Sequence, residues 1–355
     1  MDLLSIVETL GEGRTALLMG VITGITFGVA AQRSRFCLRA ATVEFARRQM
    51  GDKVAVWLLT FSTAVVWVQA AGLLGYIDIP EARIMAIPGS WSGAIVGGLM
   101  FGVGMIMARG CSGRLLVLAA TGNLRSLVSG MVFAVVAQMT MGGWLKAPRD
   151  WIASQWITSG GRNVDLLTAL HLPEWGGLAF GLMLAILALI IARKNRIGAS
   201  RLIFGAGVGF AVALGWALTT ALSRVAFDPY PIESATFTGP SANTLMFLLD
   251  SGNAVLEFPV GLVPGVFIGA FLSSVLTKEF KFQGFESEAN MRRSLTGAAL
   301  MGFGGMLAGG CAIGAGVTGG SVFAGTAWLA LTAFWIGGMT TDFLLDQRIA
   351  RVSEL

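Results

Sequence analysis

Nine apolar runs govern what this chain can fold into. They lie at about 14–32, 52–76, 89–109, 123–145, 172–193, 200–222, 257–277, 293–309 and 322–343. Most approach the ~20 residues that a helix needs to cross a hydrocarbon core about 30 Å thick. Composition agrees, because 55% of the 355 residues are apolar and only 13% are charged, too few to cover the surface of a soluble chain this long. An all-α integral membrane protein is expected. The opening MDLLSIVETLGEGR is acidic and lacks both a basic n-region and a cleavage site, so the first span is expected to be retained.

The formal net charge is +5, but the basic residues sit in short loops between apolar runs. That distribution is a topology signal and not a phosphate-binding face, so no nucleic-acid partner is expected. One set of loops carries Arg33, Arg35, Arg39, Arg47, Arg48, Lys53, Arg193, Lys194, Arg196, Arg201, Lys278, Lys281, Arg292, Arg293, Arg348 and Arg351. The other set carries only Arg14, Arg83, Lys146, Arg149, Arg162 and Arg224. The positive-inside rule therefore puts the N-terminus outside and, with an odd number of spans, the C-terminus inside.

Four stretches, about 34–47, 110–121, 235–250 and 310–320, are too short to span and too apolar for ordinary loops. Irregular backbone at membrane depth must be buried in protein or line a cavity, so these are expected to be re-entrant half-helices. The chain also reads as two related halves. Residues 1–193 contain the first four runs and the linking run 172–193, and residues 194–355 contain the last four. GMIMARGC (104–111) matches GMLAGGC (305–311), each after a glycine-rich run and each followed by Thr-Gly, at Thr121-Gly122 and Thr318-Gly319. Paired interrupted segments in corresponding places of two halves point to a transporter's midplane site, and an inverted-type repeat is expected.

Two of the three cysteines, Cys111 and Cys311, sit at those matched breaks, and Cys37 lies at the inner end of the first run. The preceding glycines, Gly110 and Gly310, are expected to let the backbone turn and approach closely. A half-helix starting there aims its amides and its positive dipole end at one point, which favours an anion. A thiol is a weak, polarizable donor, suited to a soft anion that must bind well enough to arrive and weakly enough to leave. No metal or cofactor is expected, since there is no CxxC pair and the single histidine, His171, falls in an outer loop. No GxxxxGK[ST] sequence is present, so direct ATP coupling would need another subunit. Asn243 and Thr238 are further polar candidates, and Glu44 is an ion-pair candidate for Arg35, Arg39 or Arg48. Trp144, Trp151, Trp156 and Trp175 read as an outer aromatic belt.

With these motifs the sequence resembles the YeeE/YedE family of sulfur-compound transporters. QRSRFC (32–37), GMIMARGCSG (104–113), GMLAGGCAIGAG (305–316) and TGPSANTLMFLL (238–249) carry the resemblance, which covers nearly the whole chain. It implies an hourglass-like helical protein of the bacterial inner membrane that imports thiosulfate, passing it between thiols by hydrogen bonding. Carried over by position, the relay is Cys111, Cys311 and Cys37 from outside to inside. Arg109 and Arg114 stand where other members have small residues, adding positive charge that bears on which sulfur anion is chosen. The resemblance also implies a cytoplasmic TusA-like sulfur-carrier partner. Two other readings stay open at this point: a membrane thiol or sulfurtransfer enzyme, with Arg109 or Arg35 activating a thiolate, and a sensor of the same anion.

Overall fold

The computed structural model describes residues 3–250, 255–284 and 287–347, and among them it is all-helical. Arg348 and Arg351, which entered the topology argument, lie outside the described residues. The helices are α1 (Leu3–Leu10), α2 (Glu12–Ser34), α3 (Leu38–Ala46), α4 (Asp52–Leu73), α5 (Trp91–Met107), α6 (Ser112–Ala120), α7 (Leu124–Gly142) and α8 (Lys146–Ser154). They continue with α9 (Gly176–Lys194), α10 (Ala199–Ser223), α11 (Thr238–Leu249), α12 (Phe258–Leu276), α13 (Glu288–Leu307), the π-helix α14 (Ala312–Gly319) and α15 (Gly325–Thr341). Nine segments among the described residues are long and apolar enough to cross a membrane, as expected. The four half-helices also form, as α3, α6, α11 and α14. Apart from the short helices α1 and α8, the order on either side of α9 is the same: long, half, long, long, half, long.

Loop contacts define two faces of the bundle. On the first, Arg224 Nη2 donates to the Gly75 carbonyl at 2.8 Å, Arg83 N to Ile232 O at 2.9 Å, and Gly325 N to Val164 O at 2.7 Å. On the second, Arg201 pairs with Asp52 at 2.8 Å, Arg47 with Asp342 at 3.0 Å, and Leu124 N donates to Gln283 O at 3.0 Å. Helices α3 and α6 end at the second face, whereas α11 and α14 end at the first. All four therefore begin inside the bundle, where their N-termini converge.

Glycine explains how the long helices get close enough to enclose that point. Gly20, Gly24 and Gly28 of α2 face Gly261, Gly265 and Gly269 of α12. A Cβ on Gly24 would run into the Leu262 carbonyl oxygen, and one on Gly265 into that of Val21. Small residues spaced by four let two backbones touch, which drives association where no hydrophobic effect operates between helices in lipid. Helix α5 does the same twice, with Gly97 against Gly304 of α13 and Gly102 against the Phe334 carbonyl of α15. Each of these contacts joins a helix preceding α9 to one following it.

Glu44 serves as a helix cap. Its Oε2 accepts from the Val54 amide at 2.8 Å and so caps the start of α4, supplying one of the acceptors a helix N-terminus lacks. Arg35 pairs instead with Glu279 at 3.2 Å.

Candidate functional site

Each cysteine is the residue that opens a half-helix. Cys37 precedes α3, Cys111 precedes α6 and Cys311 precedes α14. Two residues earlier the backbone turns left-handed, at Arg35 (φ 55°), Arg109 (φ 58°) and Gly309 (φ 78°). The two breaks in α5–α6 and α13–α14 use the same closing bonds. Arg109 N donates to Ile106 O at 3.2 Å and Gly110 N to Met105 O at 3.1 Å; Gly309 N donates to Met306 O at 3.4 Å and Gly310 N to Gly305 O at 2.8 Å. This is a Schellman-type ending that satisfies the last carbonyls of the long helix before the chain re-enters. The left-handed turn thus falls one residue before Gly110 and Gly310, on Arg109 and Gly309. Gly310 has a different task, since a Cβ there would stand 2.6 Å from the Ala315 amide nitrogen. At Arg109 the left-handed conformation costs about 1–2 kcal/mol for a residue bearing a Cβ.

The breaks place the three sulfurs together. Cys111 and Cys311 are buried and Cys37 is partly so, and all three are free thiols. The thiols of Cys37 and Cys111 lie close enough to interact, and Cys311 lies within electrostatic range of Cys111. Cys311 Sγ accepts from the Gly314 amide at 3.4 Å, at the first turn of its half-helix. In α14 the Cys311 carbonyl is shared by Ala315 N at 2.9 Å and Gly316 N at 3.3 Å, which widens that turn into a π-helix. Such turns recur at functional sites.

Aromatic and small residues seal the convergence point. Phe27 and Phe237 meet edge to face with ring centroids 5.0 Å apart. Gly113, in the first turn of α6, leaves room for the Phe237 ring, which a Cβ would approach to 3.2 Å. The fourth half-helix, α11, brings no cysteine; its first residue, Thr238, is 1% exposed and its hydroxyl has no partner. Ser112, in the corresponding first position of α6, has a buried hydroxyl in the same state.

A cavity of about 570 Å³ opens from the first face and descends to this region. Arg83, Arg149 and Glu233 stand on its walls, with Gly309, Gly310, Gly314, Thr238, Asn243 and Thr318 among its further lining. Asn243 and Thr318 thus both line this cavity. The Thr318 hydroxyl donates to the Ala235 carbonyl, which ties α14 to the strand-like segment leading into α11. Arg109 and Arg114 do not line this cavity. Arg109 Nη2 reaches Asn290 Oδ1 at 3.2 Å, and Arg114 acts electrostatically on Cys37 from the second-face side of the convergence.

Two buried charged side chains at the candidate site escaped sequence reasoning. Arg125, 8% exposed, donates from Nη1 to the Ala108 carbonyl at 2.9 Å and lies 3.4 Å from Ser294 Oγ, bracing the α5–α6 break. Glu233 lines the cavity 3.6 Å from Arg83. Neither belongs to a motif.

Spanning helices broken by half-helices whose N-termini meet beneath a cavity define a multi-pass membrane protein. Residues 33–340 match the family described as sulphur transport, and the chain belongs to it. Two relatives carry the name thiosulfate transporter TsuA. The one from Escherichia coli strain K12 is 26% identical over 366 residues, covering 96% of this chain and 97% of its own. The one from Spirochaeta thermophila is 26% identical over 347 residues, covering 93% and 99% respectively.

Proposed function

We propose that the protein imports a small sulfur-containing anion, thiosulfate, across a bacterial inner membrane by handing it between cysteine thiols. The observation that carries this reading is the meeting of three cysteine-capped half-helices below the first-face cavity, with the Cys37 and Cys111 thiols adjacent. Helix N-termini offer unsatisfied amides and a positive dipole end to an anion. Neutral thiols add donors of low strength, so the anion is held without being trapped. The names of the two relatives support thiosulfate as the cargo.

The cavity borders the Cys311 break, and Cys37 lies on the second-face side with Arg39 and Arg114 acting on it. These positions support an order from the first face of Cys311, Cys111, Cys37, in place of Cys111, Cys311, Cys37. Gly110 and Gly310 shape the two breaks, Asn243 and Thr318 line the approach, and Arg109 and Arg114 supply positive charge on the exit side. The second face carries Arg47, Arg48, Lys53, Arg193, Arg201 and Lys281, so by the positive-inside rule it is cytoplasmic and the N-terminus is outside. There a TusA-like sulfur carrier would receive the anion. The repeated helix order on either side of α9 supports two inverted halves, 1–193 and 194–355.

Uptake of radiolabelled thiosulfate by cells lacking other importers tests the reading. The variant combining Cys111→Ala and Cys311→Ala is expected to abolish uptake while still reaching the membrane. Unchanged uptake would sink the cysteine relay.

A further inference from the structure

On the wall of the 570 Å³ cavity a carboxylate and a guanidinium stand side by side. Glu233 is held rigidly: its carbonyl accepts from Thr219 Oγ1 at 2.7 Å, and the same hydroxyl takes its amide at 3.2 Å. The preceding residue, Ile232, is bridged to Ala82 in parallel, which brings Arg83 alongside. Arg83 Nη1 lies 3.6 Å from Glu233 Oε2, with the Arg83 side chain 62% exposed and that of Glu233 13%. The arginine is thus open to the cavity and the carboxylate is mostly withdrawn.

We propose that Glu233 and Arg83 form a proton-linked anion gate: the incoming anion takes the Arg83 guanidinium as Glu233 takes up a proton from solvent. The proposal rests on the reading of the cavity as the way in for thiosulfate. A dianion beside an ionised Glu233 would face like charge at close range, in surroundings where water screens poorly. Adding one proton removes that repulsion and frees Arg83, an always-charged donor fork suited to an oxyanion. By linkage, if protonation strengthens anion binding, the anion must raise proton affinity by the same factor.

The groups facing Glu233 favour this exchange. Burial pushes its carboxyl up to about 7, Glu257 at the start of α12 adds repulsion, and Arg83 alone pulls the other way. Tyr230, on the same loop, is itself raised to about 12 by burial and stays neutral throughout the range in question. Arg149 and Asp150 stand on the walls of the same cavity, paired with each other. Glu233 therefore titrates near neutrality, and thiosulfate stays a dianion over the same range.

The test is thiosulfate binding to the purified full-length protein between pH 6 and 8, by calorimetry in buffers of different ionisation enthalpy. The wild-type protein is expected to bind roughly tenfold more tightly at pH 6 than at pH 8, with close to one proton taken up per anion at the upper end. Glu233→Gln is expected to bind at pH 8 with the low-pH affinity and to take up no proton. Glu233→Asp is expected to retain a pH dependence with a shifted midpoint, which separates titration from a folding defect. Arg83→Gln is expected to weaken binding at pH 6 and flatten the profile. A flat wild-type profile, or an unaltered slope in Glu233→Gln, overturns the gate while leaving thiosulfate as cargo. Absence of thiosulfate binding at every pH overturns both.

Discussion

Replacing Gly24 by alanine puts the packing of α2 on α12 to a direct test. An added Cβ would stand 2.8 Å from Val266 N and 2.9 Å from Gly265 Cα, where ordinary contact begins at 3.4 Å, and the Leu262 carbonyl oxygen would be nearer still. All three neighbours are backbone and cannot swing aside, so the helices must part by roughly 1 Å. A gap of that size forfeits a quarter to a half of each van der Waals well of about 0.1–0.2 kcal/mol. Over the few tens of atom pairs along the seam the loss sums to about 2 kcal/mol, within the ~1–3 kcal/mol found for overpacked cores. The assay is the folded fraction of purified protein titrated with SDS in mixed micelles, where ~2 kcal/mol is about a thirtyfold change in the folded-to-unfolded ratio. Gly130→Ala on α7 is the control, because a Cβ there meets nothing within 4 Å; it is expected to be neutral or stabilising by about 0.5–1 kcal/mol. Adding Gly265→Ala to Gly24→Ala should cost less than the sum, since the first substitution has already parted the helices. Equal stability of Gly24→Ala and Gly130→Ala would refute the reasoning.

Two further outcomes follow from the site. In a Cys311→Ala background, mild oxidation is expected to join Cys37 to Cys111 within one chain, visible as a linked peptide by mass spectrometry and reversed by a reductant; two unlinked thiols after oxidation would contradict their adjacency. Arg125→Ala removes a buried donor from the Ala108 carbonyl, which leaves an acceptor unsatisfied at a cost of about 1–3 kcal/mol. Arg125→Lys should recover part of that loss in the same SDS titration.

Hydropathy made the spans readable because a membrane helix has to be apolar over its whole length, whatever it packs against. The breaks were equally legible, since the Gly-Cys pairs at 110–111 and 310–311 interrupt runs that would otherwise continue. The candidate site was thus visible as three thiols at interrupted helices. What could not be seen was tertiary. That Arg125 reaches back to the carbonyl of Ala108, or that Glu44 caps α4, depends on how helices cross after folding. Glu233 is the clearer case. Between Ile232 and Ser234 nothing marks it as different from any loop glutamate, and its character comes from the parallel bridge to Ala82 and from burial. The thiol order proposed above departs from the one the resemblance implies for a related reason: which break borders the cavity depends on helix direction, which motif similarity does not encode.

The glycine seams bear on how anything could move through this molecule. Helix α2 precedes α9 and is locked along α12, which follows it, while α5 is wedged against both α13 and α15. No flat boundary divides the two halves, so they cannot rock past one another as rigid blocks without pulling backbones out of contact along several turns. The frame is interlaced, and the proposed transport leaves movement to its short pieces. A cargo that advances by the stirring of four half-helices and a few side chains needs only ångström-scale displacements, and the walls can stay closed around it at every stage.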